Sequence, residues 1–148
     1  MDCPVDIVVD RNPNPADRDA IVTPLIAFNL SKVHTERPNP LAILIKEEGR
    51  VVGGLWGRFS YDWLFVELLF IPESLRGSGL GSRILLQAEQ IATGHGCTGV
   101  WLDTYEFQAK GFYEKLGYSL FGSLDDHPRG MSRFFLQKRL GGVSRAGG

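Results

Sequence analysis

Residues 76–82, Arg76-Gly77-Ser78-Gly79-Leu80-Gly81-Ser82, put three alternate glycines between an apolar stretch and an amphipathic one. The apolar stretch, Trp63–Ile71, reads as a strand, and Gly79–Thr93 reads as a helix with Leu80, Ile84, Ala88 and Ile91 on one side. Arg83, Gln87 and Gln90 face away from that side. Glycines at such a junction remove side chains where backbone N–H groups can approach a ligand. The start of the helix adds partial positive charge at the same point. The glycines alone fit a tight turn with no ligand equally well; their strand–loop–helix setting favours a pyrophosphate cradle.

Three phosphate ligands can be compared. A nucleoside-triphosphate loop needs Gly-Lys-Ser/Thr, and here Leu80 and Gly81 intervene with no lysine nearby. A dinucleotide fold is closer: Gly77-x-Gly79-x-x-Ser82 resembles its fingerprint, and Asp103 ends the next strand where a ribose-binding acid belongs. Against it, Pro72–Arg76 separates strand from glycines, Ser82 takes the third glycine's place, and the preceding strands are hairpin-linked. The third is coenzyme A.

The remaining segments predict a mixed α/β (α+β) domain over residues 1–140, with a disordered tail over 141–148. Val5–Val9 reads as a first strand. Asn14-Pro15-Ala16-Asp17 starts a helix running to about His34, with Pro24 kinking or splitting it. After a loop at Thr35–Pro40, Leu41–Glu47 and Val51–Phe59 flank the turn Glu48-Gly49, and Trp63–Ile71 follows Ser60-Tyr61-Asp62. These strands are almost continuously apolar, which suggests a sheet covered on both faces and antiparallel in its first half. Gly99–Asp103 is the next strand, reached by a parallel crossover, then a short helix Gln108–Leu116 and strands Tyr118–Leu124 and Ser132–Leu140.

The 148 residues carry a formal net charge of −1, so nothing draws the chain to nucleic acid or to an anionic membrane. Cys3 and Cys97 match neither a metal-ligand spacing nor a disulfide framework. Residues 1–20 lack a signal-peptide pattern, and no apolar run is long enough to span a bilayer. A cytoplasmic, metal-free protein is the expectation.

The glycine stretch also matches the (Gln/Arg)-x-x-Gly-x-(Gly/Ala) signature of the GNAT superfamily of acyl-CoA-dependent N-acyltransferases, preceded by Leu69-Phe70-Ile71-Pro72. Downstream, Phe112-Tyr113-Glu114-Lys115-Leu116-Gly117-Tyr118 resembles that superfamily's second signature, in the right order and at the right spacing. The resemblance covers about Val5–Leu140. It implies a central mixed sheet with helices on both faces and a V-shaped splay between the fourth and fifth strands, Trp63–Ile71 and Gly99–Asp103. It implies acetyl-CoA as donor cosubstrate, with the amides of Arg76, Gly77, Ser78, Gly79, Leu80, Gly81 and Ser82 on the pyrophosphate. Backbone of Leu69, Phe70 and Ile71 would pair with the pantetheine arm and polarise the thioester carbonyl. Gln108 stands where many members carry Asn, as a further contact to that arm.

Transfer to an amine needs a neutral nucleophile, a polarised carbonyl and a proton for the departing thiolate. Tyr113 occupies the position of the superfamily's tyrosine acid, with an ordinary phenol pKa of about 10. Glu67 interrupts the apolar run Leu64-Phe65-Val66-Glu67-Leu68-Leu69, either as a general base facing the cleft or as a solvated edge residue. Asp103 or Thr104 reads as a helix cap, and His34, His95 and His127 as exposed loop residues. Trp56, Phe59, Tyr61 and Trp63 read as core or interface, with an aromatic acceptor pocket as the alternative. No cysteine lies beside the cleft motifs, so direct attack in a ternary complex is expected. A CoA-binding module without catalysis is the competing reading. The last apolar strand suggests a homodimer through strand pairing.

Overall fold

A computed structural model describes residues 4–33 and 38–141; Cys3, His34 and the expected tail over 142–148 lie outside the described residues. The chain divides into two units, residues 1–35 and 36–148.

In the first unit, α1 (Pro15–Lys32) begins with a capping box. The Asn14 side chain accepts from the Ala16 and Asp17 amides at 2.9 and 3.3 Å, and Asp17 accepts from the Asn14 amide at 3.1 Å. Three backbone donors at the helix start are satisfied this way. Pro24 lies inside one continuous helix and does not split it. Val5–Val9 is not a strand: it joins no sheet among the described residues, and Val5, Ile7 and Val9 are at least 85% exposed. β-branched residues favour extended backbone, but without a neighbour to pair with they make no strand.

The second unit is a six-stranded sheet. Its strands are β1 (Asn39–Glu47), β2 (Arg50–Ser60), β3 (Trp63–Phe70), β4 (Gly99–Tyr105), β5 (Ser119–Asp125) and β6 (Ser132–Arg139), in the order β1-β2-β3-β4-β6-β5. β3 and β4 run parallel, and every other neighbouring pair among the described strands is antiparallel. Both early hairpins turn through consecutive positive φ angles, Glu48-Gly49 at 51° and 78° and Tyr61-Asp62 at 50° and 69°. That twist matches the strands they join. The last strand, β6, is interior, between β4 and β5. It offers no free edge, so strand pairing through it cannot build a dimer.

α2 (Leu80–Gly94) and the short α3 (Lys110–Lys115) both pack against one apolar cluster that includes Leu55, Leu64, Leu102 and Leu136. The buried face of α2 is Ile84, Leu85, Ala88, Glu89 and Ala92, whereas Ile91 is 36% exposed. The stripe is thus rotated from the expected one, because a carboxylate, Glu89, faces inward where periodicity looks for an apolar residue.

Glu89 has partners. It accepts from the Tyr118 hydroxyl at 2.9 Å and from Lys138 Nζ at 2.8 Å, and Lys138 also donates to the Leu116 carbonyl at 2.9 Å. This network ties α2, the end of α3, the start of β5 and β6 to one another. Burial, then the Glu89 carboxylate, pushes the Tyr118 phenol far above its ordinary value, so it stays a neutral donor. Lys138→Met leaves the Glu89 charge buried without its cation, a loss expected to cost about 3 kcal/mol. The denaturant midpoint should fall accordingly, and Glu89→Met/Lys138→Met should recover part of the loss. An unchanged midpoint for Lys138→Met would show that the pair contributes little.

Candidate active site

β3 and β4 pair from Trp63–Gly99 to Val66–Leu102 and no further, although β3 continues to Phe70 and β4 to Tyr105. The reason lies one strand away. Trp56 pairs with Leu68 and Gly57 with Val66, so Glu67 is an extra residue, a β-bulge. A bulge bends and twists its strand, and this one sits where β3 parts from β4. The expected V-shaped splay is therefore present, between the third and fourth strands, since the N-terminal segment supplies none. Residues 67–70 keep an edge toward β4 whose backbone groups have no strand partner there, available to an extended ligand.

The glycine loop lies just beyond β3. A 3₁₀ turn, Glu73–Leu75, leads into Gly77 and Gly79 at φ 83° and 78°, a conformation that disfavours other residues. A Cβ on either would meet no protein atom within 4 Å, so backbone conformation sets the demand for glycine at both. Gly81 differs: its Cβ would lie 3.2 Å from the Phe112 ring, which seats α3 against the first turn of α2. Gly79 is the N-cap of α2 and supplies no side-chain cap, leaving the first-turn amides to another acceptor. Arg76 Nε donates to the Ile71 carbonyl at 2.8 Å and Ser78 Oγ to the Leu75 carbonyl at 2.8 Å, so the loop is braced internally. These residues fit a diphosphate: bare amides, no carboxylate beyond Glu73, and the positive end of a fifteen-residue helix.

The two proposed catalytic residues lie on opposite faces of the sheet. Tyr113, on α3, packs against the core cluster on the α2 side, its ring edge-on to Tyr118 at 6.1 Å. Burial, then the Asp103 charge, pushes its phenol up to about 12. Glu67 is on the other face, 3.8 Å from the guanidinium of Arg58, which lies over the Phe65 ring. Its side chain is 44% exposed, so the desolvated setting expected for a base is not its environment.

Other expectations are corrected. Asp103 is no helix cap: it forms a two-pronged ion pair with Arg133, at 2.8 and 3.0 Å. That pair raises the Arg133 pKa, the hydrogen bond to Asp103 being the main cause. Thr104 is buried in β4 and donates to Gln108 Oε1 at 3.1 Å. Gln108 Oε1 also accepts from the Tyr105 amide at 2.8 Å, so its carbonyl end closes the turn after β4. Its amide nitrogen is what it has to offer a ligand. His127 is not in open solvent: its ring stacks on Tyr105 at 5.5 Å and its Nδ1 is buried. His95 is exposed but stacks on Phe59 at 4.1 Å. Phe59 is core, whereas Trp56 is half exposed.

Sequence reasoning missed Arg58, Arg133, Glu89 and Lys138. Each pairs with a residue on another element: strand register brings Arg58 to Glu67 and Arg133 to Asp103, and the packing of α2 on the sheet brings Glu89 to Lys138. Arg133 and Asp103 sit within two positions of each other across the β4–β6 ladder, a relation no local pattern encodes.

Residues 10–118 match the model of the acetyltransferase (GNAT) family. Acetyltransferase Atu2258 of Agrobacterium fabrum is 38% identical over 122 residues, covering 82% of this chain and 89% of that protein. Blasticidin-S acetyltransferase of Streptomyces morookaense is 43% identical over 95 residues, 64% of this chain and 70% of its own. A crystal structure of a candidate acetyltransferase from Agrobacterium tumefaciens superposes with a TM-score of 0.87 at 35% identity, covering 91% of this chain and 99% of that one. With the splayed strands and the glycine loop in the places that fold requires, the chain belongs to the GNAT family of acetyltransferases.

Proposed function

We propose that the protein transfers the acetyl group of acetyl-CoA to a primary amine of a small molecule or peptide by direct attack in a ternary complex. What supports this reading is the parting of β3 from β4 after Val66–Leu102, with Glu67 at the bulge on one face of the sheet and Tyr113 packed on the other. In this reading the donor's diphosphate rests on the amides of Arg76–Ser82 and its arm lies along Leu69–Ile71. The amide nitrogen of Gln108, in the turn after β4, would be a further contact to that arm.

Glu67, at the bulge, takes the ammonium proton through water and leaves the amine lone pair free to form the new C–N bond. A backbone N–H on the unpaired edge of β3 bears the carbonyl oxygen. The C–S bond then breaks toward the hydroxyl of Tyr113. A phenol held near 12 is a poor outright acid for a thiolate. Its role is to donate a hydrogen bond to the sulfur as charge develops, while solvent takes the second proton from the attacking nitrogen and delivers one to the departing thiolate. The named activity of the Streptomyces relative is consistent with a small-molecule acceptor. Cys97 is buried in the core cluster, closed to an incoming thioester, which supports a route without an acyl-enzyme.

Free-thiol release from acetyl-CoA with a panel of amines tests the reading. Tyr113→Phe should lower kcat about 100-fold with little change in KM for acetyl-CoA, the range of a single proton-handling group. Glu67→Gln should lose a similar factor at pH 7 but much less at a pH above the acceptor's own pKa, where the amine is already neutral. No thiol release with any amine, despite tight CoA binding, would favour a CoA-binding module without catalysis.

The raised phenol gives a pH prediction. Its folded value lies above the ordinary one, so the neutral form is favoured by folding. That contribution is complete below about pH 10 and is lost as pH rises toward about 12. Activity should therefore show no alkaline loss from Tyr113 up to about pH 11. The tyrosinate absorbance developed by pH 11 should be the same in wild type and Tyr113→Phe; a smaller amplitude in the variant would contradict the burial of this hydroxyl.

A further inference from the structure

The sheet face that carries Glu67 also carries a cavity of about 450 Å³, lined by Trp63, Phe65, Trp101, Phe121, Arg58 and Gln137 among others. Strand register places its floor in one row across the sheet: Arg58 pairs with Phe65, Phe65 with Trp101, and Trp101 with Gln137. The row lies one pair short of Val66–Leu102, where β3 and β4 part. Arg58 belongs both to the cavity and to the contact with Glu67, so the cavity opens toward the proposed base.

Its chemistry is specific. Phe65 and Trp101 stack at 4.1 Å, and Phe121, the extra residue at a second bulge, stands edge-on to Trp101 at 6.5 Å. Aromatic walls at these angles favour a flat ring, through offset and edge-to-face contacts that a saturated ring cannot make. One cation, Arg58, is among the lining residues and lies over Phe65, Arg139 lies over the lining residue Trp63, and no carboxylate is among the described residues that line the cavity. The Gln137 amide supplies one donor and one acceptor for a ring edge. A volume of this size suits a one- or two-ring molecule.

The geometry points to the acceptor class: an amine tethered to a flat aromatic or heteroaromatic ring whose far edge carries a carboxylate or carbonyl group. This rests on the proposed acetyl transfer from the Glu67 face. The ring lies across the outer edges of Phe65 and Trp101, whose facing sides are stacked on each other, its electron-rich edge meets Arg58 and Gln137, and the amine extends to Glu67. Phe65 and Glu67 are two positions apart along the strand, about 7 Å, so a linker of two or three carbons joins ring and amine.

Calorimetry without acetyl-CoA tests the cavity independently of catalysis, with three probes: 4-(2-aminoethyl)benzoic acid, 2-phenylethylamine and 2-cyclohexylethylamine. The flat amines should bind about five- to ten-fold tighter than the saturated one. Phe121→Ala, at a half-exposed site, should erase that margin. Arg58→Gln should erase the preference for the benzoate over phenylethylamine. Equal affinity for flat and saturated amines, or a margin untouched by Phe121→Ala, would overturn the assignment. So would a dimer in sedimentation that Phe121→Ala dissociates, since the cavity would then be an interface between copies. Ring-selective binding without thiol release would instead leave the cavity standing and refute the proposed transfer.

Discussion

The separation of β3 from β4 after Val66–Leu102 is the constraint on which the site depends. Strands in a parallel pair normally continue together, because each further pair satisfies backbone groups that must otherwise find water or a ligand. Here a single extra residue, Glu67, bends β3 away from its neighbour. One insertion thus does two things. It opens an unpaired edge the width of an extended arm, and it puts an ionisable side chain at the point of opening.

A slot of this kind is useful only if its walls are held. On one face, the Glu89–Tyr118–Lys138 network clamps α2, α3 and two strands around Tyr113. Such a network is costly to bury and costly to break, so it fixes geometry more than it adds stability. On the other face, Arg133 holds Asp103 and Arg58 faces Glu67. The carboxylates around the slot are thereby anchored to separate strands. The Asp103 charge in turn adds to burial in keeping the Tyr113 proton in place.

Much of this was legible in the chain itself. Alternate glycines between an apolar run and an amphipathic one define a strand–loop–helix junction whatever the rest of the fold. The carboxylate within Leu64–Leu69 stands out as a base or a solvated edge residue, but its place as the extra residue of a bulge depends on the pairing of β3 with β2, which the local pattern does not encode. The segment Val5–Val9 misled because propensity says nothing about the presence of a pairing partner. The inward face of α2 misled because periodicity counts apolar residues and cannot see that Tyr118 and Lys138, far along the chain, make Glu89 a core residue. The interior place of β6 is likewise a matter of topology. A last strand lies at an edge or in the middle with the same composition.

The most direct test is an amide chemical-shift map of the ¹⁵N-labelled protein titrated with coenzyme A. If the glycine loop and the unpaired edge form the donor site, the largest shifts fall on Gly77–Ser82 and on Leu69–Ile71, with little change along β1 or the outer strand β5. Saturable binding with shifts clustered elsewhere, or no shift at millimolar coenzyme A, would contradict it.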